Sequence, residues 1–142
     1  MQNPYLLRRI NLDEVTVIIG SENDKSLLQP LEDILKSAGI NYTTNVFSAH
    51  RNLDELLNFL KNNKTKIYIA AAGLAAALPG VVASQVKEPV IGVPLVFGEL
   101  RGIDALLSIL QLPKGVPVAT MGIGKQGLIN AGLLAIKILD KR

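Results

Sequence analysis

The chain has 142 residues, 49% of them hydrophobic, with 15 basic against 12 acidic side chains, one histidine and no cysteine. That length carries one domain with a sizeable core, and the missing cysteine excludes disulfides and thiolate metal sites while being compatible with the cytoplasm. The formal charge of +3 comes from scattered residues, with no basic run interleaved with aromatic rings, so the balance suits a small anionic ligand better than nucleic acid.

Residues 1–13 read as a loosely docked leader without the apolar core of a signal peptide, and residues 14–142 as one domain. Val15 to Ile19 is a β-branched run that ends in Gly20-Ser21-Glu22-Asn23-Asp24, the pattern of a buried strand entering a polar loop. Leu27, Leu28, Leu31, Ile34 and Leu35 follow at helical spacing, and Gly39 lies just past the end. Pro30 removes a backbone donor there, so the helix is kinked or its regular part begins near Pro30.

The second unit is a strand from Asn41 to Phe47, the loop Ser48-Ala49-His50-Arg51, and a helix. Asn52 and Glu55 have the spacing of an N-cap and its reciprocal partner, and Leu53, Leu56, Leu57 and Leu60 form the apolar stripe. The third unit is a strand from Lys66 to Ala71, a turn at Gly73, and a helix through Ala75 and Ala76 to Val86 that Pro79 interrupts or divides. The stretch Ile67 to Val86 carries no charge and is long enough to span a bilayer. Its alanines, Gly73, Pro79 and Gly80 fit a buried strand followed by a buried helix better than a membrane segment. Then come a strand from Pro89 to Leu95, a helix from Gly102 to Leu110, a strand from Pro117 to Met121, and a final helix with apolar positions from Leu128 to Leu139. Strands alternating with helices imply an α/β fold. It is a three-layer αβα sandwich around a central five-stranded parallel sheet, flavodoxin- or Rossmann-like, with right-handed crossovers. The high apolar fraction fits strands buried on both faces, or a subunit surface covered by oligomerisation.

In such a sheet ligands bind beyond the carboxyl ends of the strands. The loops expected at that edge are Gly20 to Asp24, Ser48 to Arg51, Ala72-Gly73-Leu74 and Gly122-Ile-Gly-Lys125. The first brings a hydroxyl, an amide and carboxylates to a helix N-terminus that favours phosphate, although plain capping explains Asn23 and Asp24 by themselves. In the second, an imidazole, a side chain suited to acid–base work, stands beside a fixed cation; alone, this is equally a capped turn with a surface histidine. Gly122-x-Gly124-x-x-Gly127 has the dinucleotide spacing, but no second strand follows to carry an acid to a ribose. No phosphate-binding P-loop, metal-ligand cluster or Ser-His-Asp signature is present.

Taken together, five blocks in order resemble the N5-carboxyaminoimidazole ribonucleotide mutase family of de novo purine synthesis. They are Gly20-Ser21-x-x-Asp24, Ser48-Ala49-His50-Arg51, Ala72-Gly73-Leu74-Ala75-Ala76-x-Leu78-Pro79-Gly80, Gln111 to Ala119, and Gly122-Ile123-Gly124-Lys125. The similarity runs from about Val15 to Leu139. It implies no metal, no organic cofactor, a ribonucleotide substrate, and a homo-oligomer, usually an octamer, with each site at subunit contacts. Neither a membrane nor a nucleic acid belongs to that picture, and the compartment it implies is the cytoplasm.

By the same resemblance Ser21 and Arg51 are phosphate ligands, Asp24 accepts from a ribose hydroxyl, and His50 is the acid–base group. Ser48 belongs to the same substrate-binding loop, while Ala49, Gly73 and Leu78 shape the pocket around the imidazole and the released carbon dioxide. Two positions depart from the family pattern. Asn23 stands where a second serine is usual, and its amide still donates to a phosphate. Ala77 stands where bacterial members have a histidine in the wall of the carbon dioxide pocket. Animal-type carboxylases of the same fold have lysine after the histidine, so Arg51 favours the mutase branch. The alternatives are a carboxylase acting on aminoimidazole ribonucleotide and carbon dioxide directly, or a non-catalytic ribonucleotide-binding paralogue.

Overall fold

A computed structural model describes residues 13–140 of the chain. The leader reading of residues 1–13 lies outside that range except for Asp13, which opens the first strand and pairs with Thr65. Five parallel strands, β1 (Asp13–Ile19), β2 (Tyr42–Val46), β3 (Thr65–Ala72), β4 (Val90–Pro94) and β5 (Ala119–Thr120), lie in the order β2-β1-β3-β4-β5. The helices between them are α1 (Gln29–Ser37), α2 (Leu53–Asn62), α3 (Leu78–Gln85), α4 (Ile103–Leu110) and α5 (Gly124–Ile138).

The period of two along β1 and β3 divides the molecule into three layers. Val15, Val17, Ile19, Ile67, Ile69 and Ala71 are buried with Leu31, Leu35, Leu128 and Ala131 of α1 and α5. Ile18, Tyr68 and Ala70 point the other way, to Leu56, Leu78, Val82 and Ile109 of α2, α3 and α4. One polar cluster interrupts that second face. Thr16 is fully buried, and the Asn63 amide donates to its Oγ1 at 3.0 Å and to the Tyr68 hydroxyl at 3.1 Å. Burial pushes the Tyr68 phenol upward, partly offset by that Asn63 bond.

Prolines set several helix starts. A 3-10 segment, Glu22–Leu28, precedes α1, and Pro30 sits in the first turn of α1, where no intrahelical partner is lost. The regular helix therefore begins at Gln29, with Pro30 in its first turn rather than at a kink. At its other end Gly39 has φ +65°, and Ile40 N–H returns to the Leu35 carbonyl at 3.0 Å, a Schellman closure. Pro79 plays the same part in α3, which starts at Leu78. Ala75 and Ala76, expected in that helix, lie in the loop before it. The fifth strand is shorter than the expected Pro117–Met121: only Ala119 and Thr120 pair, with Ile91 and Gly92. It is an edge strand with one neighbour, and Pro117 has no N–H for a ladder.

The uncharged stretch 67–86 is divided between β3, a loop and α3. Among the described residues no helix is long and apolar enough to cross a membrane.

Candidate active site

The chain leaves β1 toward β2 on one side, and leaves β3 toward β4 on the other. A crevice opens between the carboxyl ends of β1 and β3, where this strand order reverses direction. Hydrogen bonds continue past the strand ends and bring the loops together: Phe47 N–H reaches the Ile19 carbonyl, and Leu95 N–H the Ala72 carbonyl, each at 2.9 Å. A cleft of about 570 Å³ lies there. All ten residues singled out in the sequence line it: Ser21, Asn23 and Asp24 after β1, Ser48, Ala49, His50 and Arg51 after β2, and Gly73, Ala77 and Leu78 after β3.

In the first loop Ser21 caps the 3-10 segment, its Oγ accepting from the Asn23 N–H at 3.3 Å. Asp24 is only 7% exposed. Burial pushes its carboxyl above the usual range, while a hydrogen bond from the Ser21 backbone and the charge of Arg51 pull it back. The Arg51 guanidinium donates from Nη2 to the Gly20 carbonyl at 3.1 Å, fastening the second loop to the first. A cation, a hydroxyl and an amide thus border a buried carboxylate, a set that can receive a phosphorylated sugar.

The second loop is shaped from inside. Ser48 Oγ accepts the Arg51 N–H at 3.2 Å, and Asn52 Oδ1 accepts the Ser48 N–H at 2.6 Å. Asn52 Nδ2 also donates to Glu55 Oε2 at 3.1 Å. The expected Asn52–Glu55 pair therefore exists, but it is not a capping box, because the Asn52 oxygen turns back to the loop and caps no helical N–H. His50 is exposed, and its ring makes no hydrogen bond within the described residues.

A second cleft of about 400 Å³ meets the first at His50, Ala75 and Ala77, and continues to Ser84, Ser108 and Leu112. Ala77 thus stands in the wall between two spaces. The fourth loop singled out in the sequence, Gly122 to Lys125, lines neither cleft. Its glycines answer to backbone packing: Gly122 and Gly124 have φ +130° and +65°, and a Cβ on Gly127 would collide with the Gly122 carbonyl. The dinucleotide spacing is a tight turn into α5.

Of the other lining residues, Gly20, Ala72, Leu74 and Ala75 lie in loops and blocks named from the sequence without a site role of their own, and Phe97 is not named there at all. The signal for Phe97 was available, since it lies two residues past a β4 run that ends in Leu95. Its loop starts with the apolar Val96 and Phe97 and brings charges only at Glu99 and Arg101, so it lacks the polar start of the loops after β1 and β2.

The fold and the cleft define an α/β domain with an open cleft at the switch point of its sheet, lined by Arg51, Asp24, Ser21 and the histidine His50. The chain belongs to the AIR carboxylase family, whose model matches residues 14–142. It is similar to proteins named N5-carboxyaminoimidazole ribonucleotide mutase. It is 45% identical to that of Haemophilus influenzae over 89% of this chain and 79% of the relative. With the Saccharolobus solfataricus protein the identity is 48%, over 90% and 82%. A crystal structure of Treponema denticola PurE superimposes with a TM-score of 0.77 at 30% identity, covering 89% of this chain and 79% of that one.

Proposed function

We propose that this chain is an N5-carboxyaminoimidazole ribonucleotide mutase of de novo purine synthesis in which His50 is the acid–base group. The carrying observation is the convergence of Ser21, Asp24, Arg51 and His50 on one cleft, in a chain 41% to 48% identical to eight proteins of that name. Ser21, Asn23 and Arg51 hold the phosphate, and Asp24 accepts from a ribose hydroxyl. Ser48 fixes the loop, while Ala49, Gly73 and Leu78 surround the heterocycle.

The chemistry is an isomerisation with no net proton change. The bond from N5 to the carboxylate carbon breaks, carbon dioxide is released, and the nitrogen keeps the electron pair and takes a proton. C4 then attacks the trapped carbon dioxide and loses its own proton. A single imidazole serves both transfers, and an exposed ring with no hydrogen-bond partner among the described residues is free to turn to the substrate. No metal or organic cofactor enters this scheme.

The proposed assembly is a homo-octamer in the cytoplasm. Ile103, Leu107 and Leu110 lie on one face of α4, and with Leu100 each is more than half exposed. Such an apolar stripe suits burial against another copy, and the mass in solution tests it.

The gap at Ala77 supports a second reading, direct carboxylation of aminoimidazole ribonucleotide by carbon dioxide entering from the second cleft. Turnover that requires added bicarbonate would select it, and binding without turnover would mark a non-catalytic paralogue. The test of the main reading is His50→Gln. Turnover of N5-carboxyaminoimidazole ribonucleotide falls on the order of a hundredfold or more, with affinity within a few-fold. A variant with near-normal turnover removes His50 from the mechanism.

A further inference from the structure

We infer that Phe97 is a specificity-determining residue of the cleft, its ring supplying the flat wall against which the substrate's five-membered heterocycle lies. The inference rests on the ribonucleotide reading above.

Placement is the first argument. Leu95 N–H bonds to the Ala72 carbonyl, so the chain beyond β4 leaves the sheet beside the loop that follows β3. Phe97 comes two residues later, packs partly against the core under β1, β3 and β4, and lines the main cleft.

The second argument is how that ring is held. Gly73 has no side chain, and a Cβ there would run into the Phe97 ring; the ring occupies the space that any other residue at 73 would need. Leu74 reciprocates. It is held at φ +57°, a left-handed conformation that is unfavourable for a residue with a side chain, and its Cδ2 lies 3.0 Å from where a Gly98 Cβ would stand. Gly98, Arg101 and Gly102 also have positive φ, folding residues 96–102 back toward the sheet. Two neighbouring loops interlock side chain over glycine, and the strain is spent on fixing a ring at the cleft edge.

The third argument is the composition of the wall. The polar groups of the cleft, on Ser21, Asn23, Asp24, Ser48, His50 and Arg51, come from the loops after β1 and β2, whereas the loops after β3 and β4 line it with glycine, alanine, leucine and Phe97 alone. A planar heterocycle is best met by a π-face, and among the described residues Phe97 carries the one phenyl ring that lines the cleft. Phe47 and Phe59 pack on each other, their ring centroids 4.8 Å apart.

The experiment compares two ligands by calorimetry, 5-aminoimidazole ribonucleotide and ribose 5-phosphate, on the parent, Phe97→Leu and Phe97→Tyr. Leucine keeps an apolar cover over Gly73 and removes the π-face. Phe97→Leu is expected to weaken the ribonucleotide about tenfold and to leave ribose 5-phosphate within about twofold, while Phe97→Tyr restores ribonucleotide binding to within about threefold. The ribose 5-phosphate arm also reports whether the variant keeps its folded cleft. Equal loss for both ligands, or no loss for either, overturns the inference. A parent that binds ribose 5-phosphate as tightly as the ribonucleotide overturns the ribonucleotide reading itself, and the wall with it. A parent that prefers the ribonucleotide but is indifferent to Phe97→Leu sinks the wall alone.

Discussion

Asn52 Oδ1 accepts the backbone N–H of Ser48 at 2.6 Å, so the residue that begins α2 also closes the loop carrying His50. The bond runs backward over four residues and converts a helix start into a clamp. Removing the oxygen leaves a part-buried N–H without its partner, at a cost of about 1 kcal/mol. Asn52→Ala is therefore expected to lower the melting temperature by a few degrees and to reduce kcat more than it raises KM, because His50 loses its fixed position. Asn52→Asp keeps the acceptor and should retain more of kcat. Equal kcat for Asn52→Ala and the parent would leave the clamp without a functional role.

Arg51 ties the two polar loops together through Gly20 and is the cation of the cleft. Arg51→Ala should weaken ribonucleotide binding by about 2–3 kcal/mol, the scale of a lost charge-assisted hydrogen bond. The corresponding nucleoside, without phosphate, should lose much less. Arg51→Lys restores the charge but not the planar fork, and should recover only part of the affinity. Equal losses for nucleotide and nucleoside would mean that Arg51 does not hold the phosphate.

Asp24 carries a pH signature. Burial raises its folded-state pKa above the ordinary carboxylate value, against the smaller pulls of the Ser21 backbone bond and Arg51. The native state then binds the proton more tightly than the unfolded chain, so stability falls as pH rises through the raised pKa. Below the ordinary carboxylate range both states are protonated and this penalty vanishes. Asp24→Asn should consequently gain thermal stability relative to the parent at neutral pH, with the gain disappearing in acid, while losing ribonucleotide affinity. Paired melting curves across pH check this. A constant difference at all pH values would mean that the buried carboxylate carries no net ionisation penalty.

Ala77 stands where the two clefts meet, beside Ala75 and His50. A wall that low lets carbon dioxide leave or water enter during the interval between decarboxylation and recarboxylation. Ala77→His is expected to raise mutase turnover and lower the fraction of aminoimidazole ribonucleotide released as a side product. Phosphate affinity should stay nearly unaltered, because Ser21 and Arg51 lie on other loops. Both products are measured from one substrate on parent and variant; unchanged rate and partition would mean that another group completes the wall.

The layers, the strand alternation and three of the chemistry-bearing loops were legible along the chain, because β-branched runs, helical leucine spacing and prolines act over a few residues. Val15 to Ile19 is a buried strand in any register that satisfies its apolar side chains. Pro30 allows a helix start or a kink, and Pro79 reads as the interruption of a helix from Ala75; both sit in a first turn, where a missing N–H is tolerated. All ten candidate residues follow from motif and resemblance, and all ten line one cleft.

What the linear pattern could not carry is which side chain meets which across elements. Asn52 reads as a cap from its spacing to Glu55, yet its oxygen belongs to Ser48. Gly122 to Gly127 has the dinucleotide spacing and is expected at the cleft edge, yet its glycines serve close backbone packing and the loop lines neither cleft. Ala77 shows its importance only when two cavities are seen to share it. Local periodicity fixes the elements because short-range sterics and hydrogen bonding favour them directly. The partners of Gly73, Asn52 and Ala77 depend on how parallel strands far apart in sequence are paired, which only the tertiary structure decides.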